Sequence, residues 1–223
     1  MTEEQLKARI AELEAKVDAL ENPEWPKAAP GCGALFYYIT DDDEAFVLLS
    51  RRGTEHGEGY GITGGGFYSV KKATPYSLGS PVLTHELECF RELCEEFRDP
   101  GQNEDESDTL EQVMAKATAF TSLVPKKRFT EHAERLCGFV VQTPNDPHNQ
   151  YHDCNFFAFQ VTEKVAMQLM AIPANAERPE TVAVPIEEEA LVDVTCALFH
   201  KHEAVPIVQL LQYVEEKMAD DHV

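Results

Sequence analysis

Three features of these 223 residues predict an α/β (α+β) chain, a mixed β-sheet flanked by α-helices. Ala34 to Thr40 and Ala45 to Ser50 are rich in Phe, Tyr, Val, Ile and Leu and flank Asp41-Asp42-Asp43-Glu44, the pattern of a β-hairpin. Leu83 to Phe97 changes to the helical period, with Leu83, Leu87, Phe90, Cys94 and Phe97 on one stripe. Leu136 to Gln142, Asn155 to Val161 and Thr181 to Val184 read as further strands, so strands and helices are interspersed along the chain.

Taken in order, residues 3 to 21 predict a helix whose apolar positions Leu6, Ile10, Leu13, Val17 and Leu20 form a heptad seam. Ile10 and Val17 occupy a and the three leucines occupy d, a combination that favours a parallel two-stranded coil. Arg9 and Lys16 at g would meet Glu14 and Glu21 at e of a partner. Residues 1–22 are therefore expected to be a dimerising N-terminal coiled-coil helix and the chain a homodimer. A helix folded back on its own domain is the alternative, because about three heptads are marginal alone. Pro23, Pro26 and Pro30 make residues 23–32 a stiff Pro-rich linker, and 33–218 form the remaining domain. Within it, the glycine-rich stretch from Arg51 to Gly66 reads as loop, followed by a polar excursion to Pro81. Asp99 to Asp108 reads as a mobile acidic insert, Thr109 to Ala119 as a second helix, and Glu203 to Met218 as the closing helix, with Pro206 in its first turn.

Lys and Arg number 19 against 40 Asp and Glu, and 19 − 40 = −21. Such a field disfavours general nucleic-acid binding and binding to an anionic membrane, and an anionic ligand needs a local cation. No window approaches the roughly 18 apolar residues of a spanning helix, and the amino end lacks a basic region followed by an apolar run, so a cytoplasmic chain is expected. The cysteines, Cys32, Cys89, Cys94, Cys137, Cys154 and Cys196, lack Cys-x-x-Cys spacing and read as free buried thiols.

The helix from Leu83 to Phe97 carries the chemistry. Opposite its apolar stripe lie Glu88, Glu92, Glu95 and Glu96, like charges that destabilise a helix unless something compensates. Arg91 offsets part of this repulsion, and a hard cation, Mg²⁺ or Mn²⁺, would supply the rest. A solvated acidic face is the simpler account of the helix alone.

The neighbouring residues add to this. Arg91-Glu92-Leu93-Cys94-Glu95-Glu96 follows Gly64-Gly65-Gly66 and a hydrophobic hairpin, and it resembles the Nudix box, Gly-x5-Glu-x7-Arg-Glu-U-x-Glu-Glu-x-Gly-U with U aliphatic. The resemblance implies a mixed sheet sandwiched between helices and a divalent-metal-dependent hydrolase. It also implies a substrate with a pyrophosphate bond inside a nucleoside diphosphate linked to another moiety. By the same resemblance Glu92, Glu95 and Glu96 match the metal-binding and catalytic glutamates and Arg91 the arginine that orients them. Gly64 and Gly65 match the Gly-Gly turn, whose carbonyl can join the metal shell. Two positions depart from the pattern: Leu83 stands where the box has its first glutamate, and Arg98 stands where it has glycine. The loop between Gly66 and Arg91 is also longer than the pattern, and Glu86 or Glu88 could replace the missing carboxylate if the geometry permits.

The expected substrate is ADP-ribose or a related dinucleotide, on the faint similarity of Asp146-Pro147-His148-Asn149 to a stretch in ADP-ribose pyrophosphatases of this family. A catalytically weak or inactive Nudix-fold nucleotide-binding module and a coiled-coil scaffold remain as alternatives. Arg51 and Arg52, at a strand end facing the glycine-rich loop, are candidate substrate-binding residues, and Lys126-Lys127-Arg128 before the next strand could also meet phosphate. Glu131, Glu134, Glu177, Glu180 and Glu187 to Glu189 are candidate general bases. Tyr60, Phe67, Tyr68 and Tyr151 could stack on a base.

Overall fold

The computed structural model describes residues 29–54, 57–62, 65–67, 85–103, 105, 108–142, 151–175, 180–198 and 203–221. The expected helix over residues 3 to 21 and its heptad seam lie outside the described residues. Seven strands form one mixed sheet: β1 (Ala29–Ile39), β2 (Ala45–Thr54), β3 (Gly57–Ile62), β4 (Gly65–Phe67), β5 (Glu134–Gln142), β6 (Tyr151–Gln160) and β7 (Thr181–Pro185). The described helices are α1 (His85–Glu96), α2 (Leu110–Lys116), α3 (Thr118–Leu123), α4 (Lys126–His132), α5 (Glu163–Met170), α6 (Glu188–Cys196) and α7 (Ala204–Asp221). Among the described residues no helix is long and apolar enough to cross a membrane.

β1 organises the sheet. Along one edge it pairs in parallel with β6, from Ala29 opposite His152 to Tyr37 opposite Gln160. Its other edge is shared: Gly31, Cys32 and Gly33 face Phe67, Gly66 and Gly65 of β4, while Tyr37, Tyr38 and Ile39 face Val47, Phe46 and Ala45 of β2. Leu49 of β2 pairs with both Ile62 of β3 and Val182 of β7, so those two strands lie on opposite edges of β2. Phe46 likewise pairs with Tyr38 and Pro185, which puts β1 and β3 in succession along the same edge.

Both faces of β1 are covered, which explains its unbroken apolar run. Ala34, Phe36 and Tyr38 join a core with Cys89, Phe90, Leu93, Cys94 and Phe97 of the α1 region and with the buried side chains of α2 to α5. Leu35 and Tyr37 join a second core closed by Leu191 and Val194 of α6 and Ile207, Leu210 and Val214 of α7. Phe36, fully buried, is the hub of the first core. Its ring centroid lies 5.9 Å from Phe159, 6.2 Å from Phe120, 6.4 Å from Phe97 and 6.5 Å from Phe129.

Several sequence expectations change. β1 begins at Ala29, inside the stretch read as Pro-rich linker, and Cys32 is buried. The region from Arg51 to Gly66, read as loop, contains the end of β2 and strands β3 and β4, because glycines pack tightly in ladders whose side chains contribute little. The acidic insert is tied at its ends: Asp99 accepts from the Thr118 N–H at 2.9 Å and the Ala119 N–H at 3.1 Å, capping α3. Lys116 meets Asp108 and donates to the Asn103 carbonyl at 3.0 Å. The helix expected over Thr109 to Ala119 starts as read, with a capping box between Thr109 and Gln112, but Ala117 leaves the helical conformation at φ −124° and ψ 48° and divides it into α2 and α3. Lys126 to Arg128 open α4 rather than lead directly into a strand. Helices α5 and α6 were not foreseen, although Thr162 caps α5 by accepting from the Val165 N–H at 3.3 Å. All six cysteines are free; Cys32, Cys89, Cys94 and Cys154 are buried as expected, Cys137 partly so, and Cys196 is exposed.

Truncating the hub removes contacts with four rings at once. Phe36→Ala is expected to lower unfolding free energy by about 3–5 kcal/mol in urea titrations; a loss under about 1 kcal/mol would show that the first core does not depend on it.

Candidate functional site

Helix α1 lies on β1 and β4 with a wider buried arc than the predicted stripe, since Cys89 and Leu93 are as fully buried as Phe90, Cys94 and Phe97. Leu87 packs against this core, and Leu83 lies outside the described residues. The arc extends into the charged side. Arg91 is 2% exposed and Glu92 5%, while Glu88, Glu95 and Glu96 are half-buried, so the carboxylates are not the solvated face that the pattern suggested.

Arg91 gathers them. Its Nη2 donates to Glu88 Oε1 at 3.1 Å and also pairs with Glu92, and its Nη1 pairs with Glu95. One guanidinium thus faces three carboxylates: Glu88, Glu92 and Glu95, spaced by four and three, share one side of the helix, and Arg91 stands three residues from the first and four from the last. Glu96 is held differently: its backbone carbonyl accepts from Asn175 Nδ2 at 2.7 Å. The structure therefore brings together Arg91, Glu92 and Glu95 of the expected set and adds Glu88, the residue considered as a substitute for the missing box glutamate. Burial, then the neighbouring Glu95 charge, pushes the Glu88 carboxyl up to about 7. The shared guanidinium does not offset that burial.

Beneath the carboxylates lie thiols that sequence reasoning did not assign to the site. Cys32 of β1 hydrogen-bonds Cys89 of α1, and that bond, burial and the negative field of Glu92 and Glu88 all hold its thiol protonated. Burial and Glu95 push Cys94 in the same direction. Because Cys32 pairs with Gly66 and its neighbour Gly33 with Gly65, the Gly-rich strand reaches the carboxylates through the Cys32–Cys89 contact. Gly65 thus stands in β4, and Gly64 lies outside the described residues. No spacing in the sequence connects Cys32 to Cys89; only the β1–α1 packing does.

The other expected residues fall elsewhere. Arg51 sits in the β2 ladder opposite Tyr60, and its N–H donates to the Glu180 carbonyl at 2.8 Å. The backbone of Arg52 pairs with Gly59, and its side chain is outside the described residues. Tyr60 is held in β3, its N–H donating to the Ala197 carbonyl at 3.1 Å. Glu131 and Glu134 lie on α4 and β5, Glu187 to Glu189 are exposed around the start of α6, and Glu177 and Tyr68 lie outside the described residues. The Asp146 to Asn149 strip does too. Glu203, not singled out by any motif, is buried just before α7 and accepts from the Ile62 N–H at 3.1 Å, anchoring β3.

Glu88, Glu92 and Glu95 offer the hard oxygen donors that Mg²⁺ or Mn²⁺ prefers. Their side chains are turned onto Arg91, and among the described residues no group of three or more His, Cys, Asp or Glu is arranged to hold an ion. The donor chemistry fits a divalent cation; the present geometry gives those donors to a guanidinium.

No family model and no curated protein matches the chain. Among solved structures it is similar to a MutT/Nudix family protein from Listeria innocua, at 12% identity over 87% of this chain and 99% of that one, with a TM-score of 0.45. An Ap4A hydrolase from C. elegans is similar at 7% identity over 85% and 99%, TM-score 0.42. The NUDIX domain of Shewanella oneidensis NrtR, crystallised with ADP ribose, is similar at 16% identity over 91% and 97%, TM-score 0.38. With scores below 0.5, the functional reading rests on the chain's own residues.

In metal-free protein, a ¹³C NMR titration should show Glu88 titrating near 7, well above its ordinary 4.5. Between these values the folded chain holds a proton that the unfolded chain has released, so this group makes stability fall as pH rises through that window. A Glu88 midpoint below 5 would show that Arg91 dominates its environment.

Proposed function

We propose that this chain is a Nudix-type pyrophosphohydrolase that uses a divalent metal, Mg²⁺ or Mn²⁺, to cleave the pyrophosphate bond in a nucleoside diphosphate linked to another moiety, with ADP-ribose or a related dinucleotide as the preferred substrate. The observation that carries this reading is the convergence of Glu88, Glu92 and Glu95 on Arg91, within the Arg-Glu-Leu-Cys-Glu-Glu segment and beside the Gly-rich strand.

Glu92 and Glu95, with Glu96, would hold the metal, and Glu88 would supply the carboxylate that Leu83 cannot. Gly64 and Gly65 would offer backbone carbonyl oxygens. The chemistry such a metal would supply is neutralisation of the diphosphate and a lowered pKa for an attacking water. Arg91 holds the carboxylates close together, and a cation of higher charge density would compete with it for their oxygens. Arg51 and Arg52 are the proposed phosphate contacts in a chain whose net charge of −21 otherwise repels the substrate.

The same Arg91 pairing favours a second reading, a Nudix-fold nucleotide-binding module. If the guanidinium permanently satisfies the carboxylates, the pocket would retain nucleotide and lose turnover. The test is product release from a panel of nucleoside diphosphate derivatives including ADP-ribose, with Mg²⁺, with Mn²⁺ and with EDTA. Cleavage into two monophosphates is expected only with metal, and Glu95→Gln with Glu96→Gln should lower kcat at least a hundredfold. Nucleotide binding by calorimetry without cleavage under any metal would replace the enzyme by the binding module.

The N-terminal heptads are proposed to join two copies, and deleting residues 1–22 should halve the mass measured by sedimentation equilibrium. An unchanged mass would remove this seam as the dimer contact.

A further inference from the structure

A cavity of about 370 Å³ lies across the sheet from the α1 carboxylates. Tyr37 of β1, Ala158 of β6 and Tyr213 of α7 form its apolar wall, and Arg128 and Lys217 reach it from α4 and α7. Tyr37 belongs to the core closed by α7, whereas Cys32 and Cys89 belong to the core closed by α1. It also lies four residues along β1 from Gly33, the partner of Gly65, or about 13 Å. The cavity is separate from the proposed hydrolytic site in both directions, and its size is within the range of small-molecule sites.

Its charges are unusual for this chain. With 19 Lys and Arg against 40 Asp and Glu, most cations should find carboxylates. Arg128 and Lys217 have no ion pair among the described residues. Two carboxylates also border the cavity: Glu131, which faces Lys127 at 3.8 Å, and Glu134.

The two cations are also positioned. Lys217 Nζ lies 5.8 Å from the Tyr37 ring centroid and 5.7 Å from that of Tyr213. It donates to the Tyr37 hydroxyl at 3.1 Å, and that hydroxyl donates to Gln160 Oε1 at 3.5 Å. Two of the three ammonium protons remain for a ligand. Arg128 stands 5.8 Å over the Phe159 ring, which restrains a side chain that would otherwise sweep through solvent.

We propose that this cavity is a second ligand site, which binds a small phosphate monoester with a flat apolar body. The phosphate oxygens accept from the Arg128 guanidinium and the two remaining Lys217 protons, and the apolar body lies against Tyr37, Ala158 and Tyr213. A monocarboxylate of the same shape has fewer acceptor oxygens and less charge to offer these donors.

Calorimetry on the full chain, with EDTA present to keep metal out of the α1 carboxylates, tests this with phenyl phosphate and benzoate as probes. Phenyl phosphate should bind one to one and at least tenfold more tightly than benzoate. Arg128→Gln and Lys217→Met, the latter keeping an apolar stem over the two tyrosines, should each weaken it at least tenfold, while Lys164→Gln, at an exposed cation of α5 outside the cavity, leaves it unchanged. Arg128 is exposed, so its variant tests the site even if the Lys217 variant melts early. Absence of saturable phenyl phosphate binding, or equal affinity in Arg128→Gln, would overturn the site. Benzoate bound as tightly as phenyl phosphate would overturn its assignment to a dianion. Because these measurements use neither metal nor turnover, failure of the hydrolase reading leaves them intact.

Discussion

A guanidinium that cannot be deprotonated, held 2% exposed at Arg91, sets the main constraint on this fold. Removing such a charge from water costs several kcal/mol unless anions accompany it. Glu88, Glu92 and Glu95 accompany it, and each of them would in turn be costly to bury without Arg91. The group is therefore stable only as a unit, and α1 must present all four side chains together. That fixes the rotation of the helix about its axis, which places Cys89, Phe90, Leu93 and Cys94 against β1 and the charged side near β4. Small thiols at Cys32 and Cys89 let helix and strand approach closely at this point.

The sheet divides the chain electrostatically. On the α1 side, Glu88, Glu92 and Glu95 share the Arg91 guanidinium. On the α7 side, Arg128 and Lys217 line a cavity that Glu131 and Glu134 also border. An excess of 21 negative charges does not spread uniformly over such a molecule. What matters for a ligand is where the packing places the charges, and the two sides of β1 differ: acidic side chains gather on Arg91, and Arg128 and Lys217 border the cavity at α7. Tyr37 and Phe36, adjacent in sequence, project into these different environments because successive residues of a strand alternate.

Much of the candidate site was legible in the sequence. Arg91, Glu92 and Glu95 lie within one turn and a half of helix, so periodicity alone puts them together, and the Gly-rich strand could be matched by motif. Cys32 could not be connected to Cys89, nor Glu203 to Ile62, because those contacts join segments distant along the chain. The glycine-rich strands β3 and β4 were misread for a related reason: glycine is a weak strand former in isolation, and here the ladder to β2 or β1 supplies the structure. Lys126 to Arg128 were correctly marked as scarce cations, yet their location beside α7 depends on how α4 turns at the end of the sheet.

By itself, then, the sequence determined the alternating buried strands, the amphipathic α1 with its acidic side, the start of a helix at Thr109, and a charge balance that demands cations wherever an anion is to bind. Each follows from interactions within a few residues, whose geometry the backbone period dictates. Tertiary structure alone decided that the acidic side would be half-buried, that Cys32 would lie beside Cys89, and that Arg128 and Lys217 would border one cavity. Burial and pairing are properties of the whole packing arrangement: a charge has its energy from everything around it, and for these residues most of that surrounding comes from distant parts of the chain.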